Sequence, residues 1–264
     1  MNLVPNLTMS SNLTPKLSFC KFKCEDSDYA SLHKRLSPFQ IKKFTFFFKK
    51  FFDVNNDGIV DALDFTKLNE RLRIMAGWEK NSEEYMTLAD TNSVFLECLL
   101  DQVKKEQGKN QEGLEYRTWE EALKPRKLEV TSITLNQWLN MWARLCEGSG
   151  GMQDFPIWVK LLPQLMFAVQ VGKNKENKIT KACLKNFYSC FAGEMEEKEL
   201  DELTEVGYAS MTAHGDYELD EDNYILLFSS FLLGRTIYGP GKYIFGCLDN
   251  SDLHTKYPII PLVA

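Results

Sequence analysis

The sequence predicts an all-α protein. Apolar residues recur at helical spacing through most of the chain, and the alternating pattern typical of β-strands is nearly absent. With 264 residues, of which 44% are hydrophobic and 26% charged, the chain is long and apolar enough to bury a core. Helices packed on helices are therefore the expected architecture.

The first predicted helix begins at residues 37–40, Ser-Pro-Phe-Gln. Serine suits an N-cap, proline the first helical position, and glutamine the third position of a capping box. Helically spaced aromatic residues follow and predict a buried stripe: Phe44, Phe48, Phe51 and Phe52. A second helix is predicted from about Asp61 to Gly77, since glycine commonly ends a helix.

Further apolar periodicity predicts helices over residues 82–107, 134–145, 156–171, 180–192, 196–210 and 220–233, with a short one from Trp119 to Leu123. The glycines at positions 148, 150 and 151 mark the strongest domain boundary. We expect two halves, 36–147 and 152–234, with an inserted segment at about 104–125. A flexible basic extension (1–35) precedes them, and an extended or turn-like C-terminal tail (235–264) follows.

The segment between the first two helices, Asp53 to Asp64, reads DVNNDGIVDALD and has the ligand pattern of an EF-hand calcium loop. Such a loop offers oxygen ligands at positions one, three, five, seven, nine and twelve. These positions hold Asp53, Asn55, Asp57, Ile59 (through its backbone carbonyl), Asp61 (directly or through water) and Asp64. Gly58 suits the sharp turn at position six, because glycine adopts positive φ without strain.

The last ligand, Asp64, departs from the usual glutamate. Aspartate is one methylene shorter, so bidentate contact with Ca²⁺ is harder to achieve. A smaller, lower-coordinate site suits Mg²⁺, which prefers octahedral geometry and retains water. The sequence therefore predicts one divalent ion, Ca²⁺ with Mg²⁺ as the alternative.

EF-hands occur in pairs, so Val60 at the centre of the loop requires a partner. The candidate partner loop, 126–137, is centred on Ile133, and two further loops are centred on Ile179 (172–183) and Leu219 (212–223). All three have lost ligands at the first and last positions, although the fourth keeps Asp216 and Asp220. We therefore expect two EF-hand pairs in which only the first loop has a full ligand set.

Charge is distributed unevenly along the chain. Residues 1–52 carry 9 Lys and Arg against 3 Asp and Glu, and the remaining residues carry 22 against 34, for a net charge of −6. An acidic body argues against nucleic acid as the main partner. The basic N-terminal arm fits either a solvated tail or a contact with an acidic partner or membrane surface.

The sequence also indicates a cytoplasmic, soluble protein. The seven cysteines form an odd set without a CxxC pair, which favours free thiols in a reducing compartment. The N-terminus lacks the pattern of a signal peptide, and no apolar run reaches membrane-spanning length.

The chain resembles the invertebrate sarcoplasmic calcium-binding proteins and their neuronal relative calexcitin over roughly residues 36–250. The resemblance is carried by the following segments: Phe51 to Asn55, Asp57-Gly58, Asp64-Phe65, Gly77-Trp78, Gln137 to Trp142 and Gly239 to Gly246. It implies a compact fold of two EF-hand pairs, a cytosolic location and calcium buffering or signalling. An aspartate at the last ligand position of the first loop is common in that family.

The expected function is a cytosolic calcium-binding protein that acts as a sensor, modulator or buffer, with a protein target of unknown identity. A structural EF-hand module without metal exchange is one alternative. The other is an ATP-dependent small-molecule kinase, because insect juvenile hormone diol kinases resemble the same family. The sequence offers little for catalysis. Gly241-Lys242 lacks a glycine at the P-loop spacing, where Thr236 stands, and Tyr243 replaces the Ser or Thr. We therefore expect no enzyme.

Overall fold

The computed structural model of the protein describes residues 35–111, 131–191 and 195–246. Within these ranges the chain forms eight α-helices: α1 (Pro38–Phe46), α2 (Ala62–Ala76), α3 (Glu83–Gln111), α4 (Leu135–Cys146), α5 (Ile157–Val171), α6 (Lys181–Phe191), α7 (Glu197–Met211) and α8 (Glu221–Leu233). Two three-residue strands, β1 (Ile59–Asp61) and β2 (Ser132–Thr134), pair antiparallel. The predicted all-α class is confirmed.

Some predictions lie partly or wholly outside the described residues. These are the N-terminal extension, the short helix at 119–123, residues 112–125 of the inserted segment, residues 126–130 of the second loop, and the tail from 247. The helix predicted over residues 82–107 is present as α3 and continues to Gln111, within the predicted inserted segment. Lysine, glutamate and glutamine favour helix strongly enough to extend it through Gly108.

The first helix begins as the sequence predicts. Ser37 Oγ accepts a hydrogen bond from the Gln40 N–H (3.1 Å), and Gln40 Oε1 accepts one from the Ser37 N–H (3.0 Å), which completes the capping box. After Phe46 the helix continues as a π-helical turn, Phe47–Phe52. The wider turn buries four phenylalanines where the sequence predicted three: Phe47, Phe48, Phe51 and Phe52.

The second helix also has the predicted ends. Asp61 is its N-cap, and its side chain accepts hydrogen bonds from the N–H groups of Leu63 and Asp64. Gly77 ends the helix with φ +71°, a left-handed conformation that favours glycine. The first helix–loop–helix unit is therefore bounded by standard caps on both sides.

The two halves share one hydrophobic core across the glycine-rich turn at 148–151. The ring centroid of Phe47 lies 4.5 Å from that of Phe245, and Phe51 stacks on Phe191 at 4.7 Å. The Phe52 ring lies 5.2 Å from that of Trp138 in the first half. The helix that leads into the first loop thus contacts aromatic residues of both halves.

The chain after α8, predicted as an extended or turn-like tail from residue 235, is described to residue 246. It folds into a short 3₁₀ turn, Pro240–Tyr243, and buries Tyr243, Ile244 and Phe245. Gly241 permits this close approach, because a Cβ at this position would lie 2.4 Å from the Phe231 nitrogen on α8. The apolar side chains are buried against the core, which an extended tail would leave exposed.

None of the described helices is both long enough and apolar enough to cross a lipid bilayer.

Candidate metal centre

The loop Asp53–Asp64 connects the π-helical turn to α2 and holds the predicted turn at its centre. Gly58 has φ +87°, and open space surrounds the position that a Cβ would take. Asn56 also has positive φ, +59°, which asparagine tolerates better than most residues. The backbone of the loop therefore bends sharply where the sequence predicts it to.

The side chains of the first three predicted ligands fold inward onto the backbone of the loop. The two carboxylate oxygens of Asp53 accept hydrogen bonds from the N–H groups of Asp57 and Gly58, both at 3.1 Å. Asn55 Oδ1 accepts a second bond from the Asp57 N–H (2.9 Å), and its Nδ2 donates to Asp57 Oδ2 (2.9 Å). These bonds bring the three side chains together.

Asp64 holds the two ends of the loop together. Its Oδ1 accepts hydrogen bonds from the N–H groups of Val54 (3.0 Å) and Asn55 (3.2 Å), and its Oδ2 accepts one from the Asp61 N–H (3.1 Å). The side chain is fully buried. Burial raises the pKa of the Asp64 carboxyl; the three N–H donors oppose this effect, and the nearby Asp61 carboxylate adds to it.

In the part of the chain that the structure describes, no group of three or more His, Cys, Asp or Glu side chains is arranged to hold a metal ion. In the loop, the carboxylates accept bonds from backbone N–H groups. Two of the six predicted ligands, the Asn55 amide and the Ile59 carbonyl, are not His, Cys, Asp or Glu side chains, so a group of those four residue types does not include them.

The donor set nevertheless fits a hard divalent cation. A carboxylate has about four acceptor positions, and the hydrogen bonds of Asp53 and Asp57 occupy only some of them. Such oxygens are the ligands that Ca²⁺ and Mg²⁺ prefer. In an occupied site, Asp53, Asn55, Asp57, Ile59, Asp61 and Asp64 would hold the ion.

The expected partner of Val60 is present. β1 and β2 place Val60 opposite Ile133, with Ile59 opposite Thr134, and both Val60 and Ile133 are buried. Gln137, at the last position of the second loop, accepts a hydrogen bond from the Thr134 N–H (2.8 Å), as Asp64 does from Asp61. The second loop therefore also ends in a capping box at the start of α4, although its last residue, Gln137, carries no charge.

The third loop retains an EF-hand turn without acidic end ligands. Asn177 takes the positive φ (+49°) of position six, and Asn174 Oδ1 accepts from the Glu176 N–H (3.1 Å), which repeats the Asn55–Asp57 bond. Gly172 occupies the first ligand position with φ +54°, and a Cβ there would lie 2.8 Å from the Ala76 carbonyl oxygen. An aspartate therefore cannot be placed at position 172 without moving α2.

The fourth loop has a different course. Positive φ angles occur at residues 213–215, and Tyr217, at position six, does not share them. Asp220 caps α8 by accepting a bond from the Asn223 N–H (2.9 Å). The Ile179 N–H donates to the Leu219 carbonyl (2.9 Å), so the centres of the third and fourth loops are paired. Asp220 thus caps its helix as Asp61 does, but the turn before it does not have the form of the first loop.

The segment Gly241-Lys242, which was compared with a phosphate-binding loop for the kinase alternative, lies within the described residues. Gly241 lies in the 3₁₀ turn packed on α8, and Lys242 is buried beside the Tyr243 ring. A phosphate-binding loop needs a glycine-rich backbone that opens into a helix N-terminus. The surroundings of Gly241 do not have this form.

Sequence reasoning missed a buried lysine. Lys43 Nζ donates to the backbone carbonyls of Phe231, Leu232 (3.1 Å) and Gly234 (2.7 Å) at the C-terminal end of α8. Burial lowers the pKa of Lys43 to about 7, and the neighbouring Cys146 opposes the shift. Its position in the sequence could have predicted this burial, because residue 43 lies one helical turn before Phe47 and hence on the buried face of the helix.

Comparisons with known proteins agree with the fold. The sequence matches the Dockerin type I domain family over residues 25–93, a range that includes the loop Asp53–Asp64. No curated protein matches the sequence.

Two solved structures are similar. A sarcoplasmic calcium-binding protein from amphioxus has a TM-score of 0.56 and 16% identity, with coverage of 80% of this chain and 97% of that one. A coelenterazine-binding protein from Renilla muelleri, in a calcium-loaded apo form, has a TM-score of 0.51 and 12% identity, with coverage of 85% and 99%. The helix order, the paired loops and these likenesses together show that the chain has the fold of the EF-hand proteins.

Proposed function

We propose that this protein is a cytoplasmic EF-hand protein that binds one divalent cation, Ca²⁺ or in its place Mg²⁺, in the loop Asp53–Asp64. The observation that carries the proposal is the loop itself. It combines oxygen-bearing side chains at the ligand positions, a positive φ at Gly58, and a paired strand behind it. The similar amphioxus protein is described as calcium-binding, which supports the same ligand here.

The burial of Asp64 bears on the choice of ion. Its carboxylate is already held by three backbone N–H groups, so it can approach an ion only to the extent that these bonds allow. A short, tethered last ligand favours lower coordination, which suits Mg²⁺ better than it suits Ca²⁺. Competition between the two ions therefore decides whether the site exchanges metal during calcium signals.

The shared core favours a modulator or buffer over a sensor that opens widely. A sensor EF-hand separates its helices on binding calcium and exposes an apolar groove. Here α1 and its π-helical turn are enclosed by aromatic residues of both halves. Wide opening would expose these rings, so we expect metal to stabilise the closed fold.

Calorimetric titration of metal-free protein with Ca²⁺, with and without millimolar Mg²⁺, tests the proposal. We expect one site, which the double substitution Asp53→Ala and Asp64→Ala abolishes. Asp57→Ala removes an exposed ligand with less risk to folding and should weaken binding, whereas Asp216→Ala in the fourth loop is the matched control. No binding heat and no metal-dependent shift in thermal unfolding of the parent protein would refute the proposal.

A further inference from the structure

A cleft on the surface lies between α3 and α5. None of the residues that form it belongs to the loop Asp53–Asp64, called the metal loop from here on. It has a volume of about 280 Å³ and is lined by Trp78, Glu83, Glu84, Thr87, Leu165 and Ala168. The indole of Trp78 and the side chain of Leu165 are nearly buried and form its floor. The two glutamates, at the start of α3, are exposed. The cleft thus combines apolar walls with negative charge.

Apolar side chains extend this cleft into a longer groove. α3 and α5 run antiparallel, because Thr87 meets Leu165 at one end while Phe95 packs on Trp158 (5.4 Å between ring centroids) farther along α3. On α5, Ile157 and Leu161 continue the face of Leu165 at intervals of four residues. Ile157 is 75% exposed.

The α3 side of the groove has a matching stripe. Val94, 48% exposed, lies on the face that carries Glu83 and Thr87, at spacings of eleven and seven residues. Eleven residues of helix span about 17 Å, which is the length of three helical turns. We name the surface made by the cleft together with Val94, Ile157 and Leu161 the α3–α5 groove.

The charge along the groove indicates what could occupy it. The first five turns of α3, residues 83–101, contain five acidic residues and no Lys or Arg. A lysine or arginine has an aliphatic stem that suits the apolar walls and a cationic head that suits the carboxylates at the mouth. Lys173 of this chain already interacts electrostatically with Glu84.

We propose that the α3–α5 groove docks a basic amphipathic helix of a partner protein. Its lysine or arginine enters the cleft between Trp78 and Leu165, and its apolar residues at i, i+4 and i+7 lie on Val94, Leu161 and Ile157. Since no residue of the metal loop lines the groove, failure of metal binding would leave this inference standing.

The probe is a labelled, four-turn synthetic helical peptide with leucines at i, i+4 and i+7 and a lysine one turn before them. Fluorescence anisotropy measures its binding to the full chain, in Ca²⁺ and in chelator. We expect Ile157→Ser with Leu161→Ser to weaken binding about tenfold, and Glu83→Gln with Glu84→Gln to do so by a similar factor at low salt. A peptide with glutamate in place of lysine should bind more weakly.

Leu226→Ser is the matched control, because Leu226 is 67% exposed on α8 and does not line the groove. Three results would overturn the proposal. The first is that the peptide does not bind the parent protein. The second is that the groove variants bind the peptide as well as Leu226→Ser does. Alternatively, sedimentation shows a dimer that Ile157→Ser dissociates, in which case a second copy of the chain occupies the groove.

Discussion

Asp64 is the residue on which we expect metal selectivity to depend. Its side chain is fully buried and tethered at both oxygens. In Asp64→Glu the carboxylate gains a methylene and bidentate reach, so we expect affinity for Ca²⁺ to rise relative to Mg²⁺. Competition calorimetry measures the ratio, and Asp216→Glu, in a loop that lacks the ligand geometry, is the control. An unchanged ratio would show that the last position does not set selectivity.

Lys43 is a buried charged residue outside the metal loop. Three carbonyl acceptors hold its Nζ, and they suit an ammonium, which has three N–H groups. Burial nevertheless lowers its pKa from an ordinary value of 10.5 to about 7. Between these two values the unfolded chain binds more protons than the folded one, so Lys43 makes the free energy of unfolding rise with pH.

Comparison with Lys43→Met isolates this effect. Between pH 7 and pH 10, we expect the stability of the parent protein to increase relative to that of the variant, by at most about 1.4 kcal/mol per pH unit. Urea unfolding at constant, saturating metal measures the difference. Cys146, the thiol that interacts with Lys43, is partly buried, which raises its pKa to about 11 and keeps it largely neutral in this range. A difference independent of pH would contradict the lowered pKa.

The β1–β2 pair is the element that supports the metal loop from behind. Val60 contributes no ligand, but its side chain is fully buried opposite Ile133. Val60→Ala should destabilise the protein by about 2 kcal/mol and weaken metal binding several-fold, because part of the lost packing is in the loop. Ile179→Val, at the paired centre of the second half, should lower stability while leaving metal affinity unchanged. Equal effects on affinity would contradict this division.

Many features of the helices and of the strand pair could be predicted from the sequence. Caps and apolar spacing mark the helix ends locally, as Ser37, Asp61 and Gly77 show. Val60 required a buried partner, which led to Ile133. The π-helical turn and the packing of the chain end depend on contacts between distant residues, such as Phe47 with Phe245. Sequence alone does not contain those distances, and it also did not show that the carboxylates of the metal loop bond its own backbone.

At the scale of the whole molecule, Gly172 makes one of the contacts between the two halves. A side chain here meets both a positive φ and the Ala76 backbone. Gly148 has a similar φ of +78° with open space around it. We expect Gly148→Ala to cost about 1–2 kcal/mol through backbone strain alone, and Gly172→Ala to cost at least about 1 kcal/mol more. Thermal and urea unfolding test this order; the reverse order would show that α2 moves aside readily.

Because the two halves share one core, we expect a bound metal ion to stabilise both of them together. Because aromatic contacts cross between the halves, both should unfold in one transition, whether followed by tryptophan fluorescence or by far-ultraviolet circular dichroism. A saturating ion should raise the stability of the whole molecule by about 2.7 kcal/mol at one hundred times its Kd. Two separate transitions, only one of them sensitive to metal, would show that the halves are independent.

The contact between Gly172 and Ala76 has a consequence for how the sequence can change over time. Placing ligand side chains one by one could build an ion site in the third loop, since its turn at Asn177 has the EF-hand form. The first such replacement, at position 172, meets the neighbouring helix and lowers stability before any ion is gained. Single substitutions toward an ion site therefore begin with a loss of stability, and descendants of this chain should keep glycine at position 172 unless α2 shifts first.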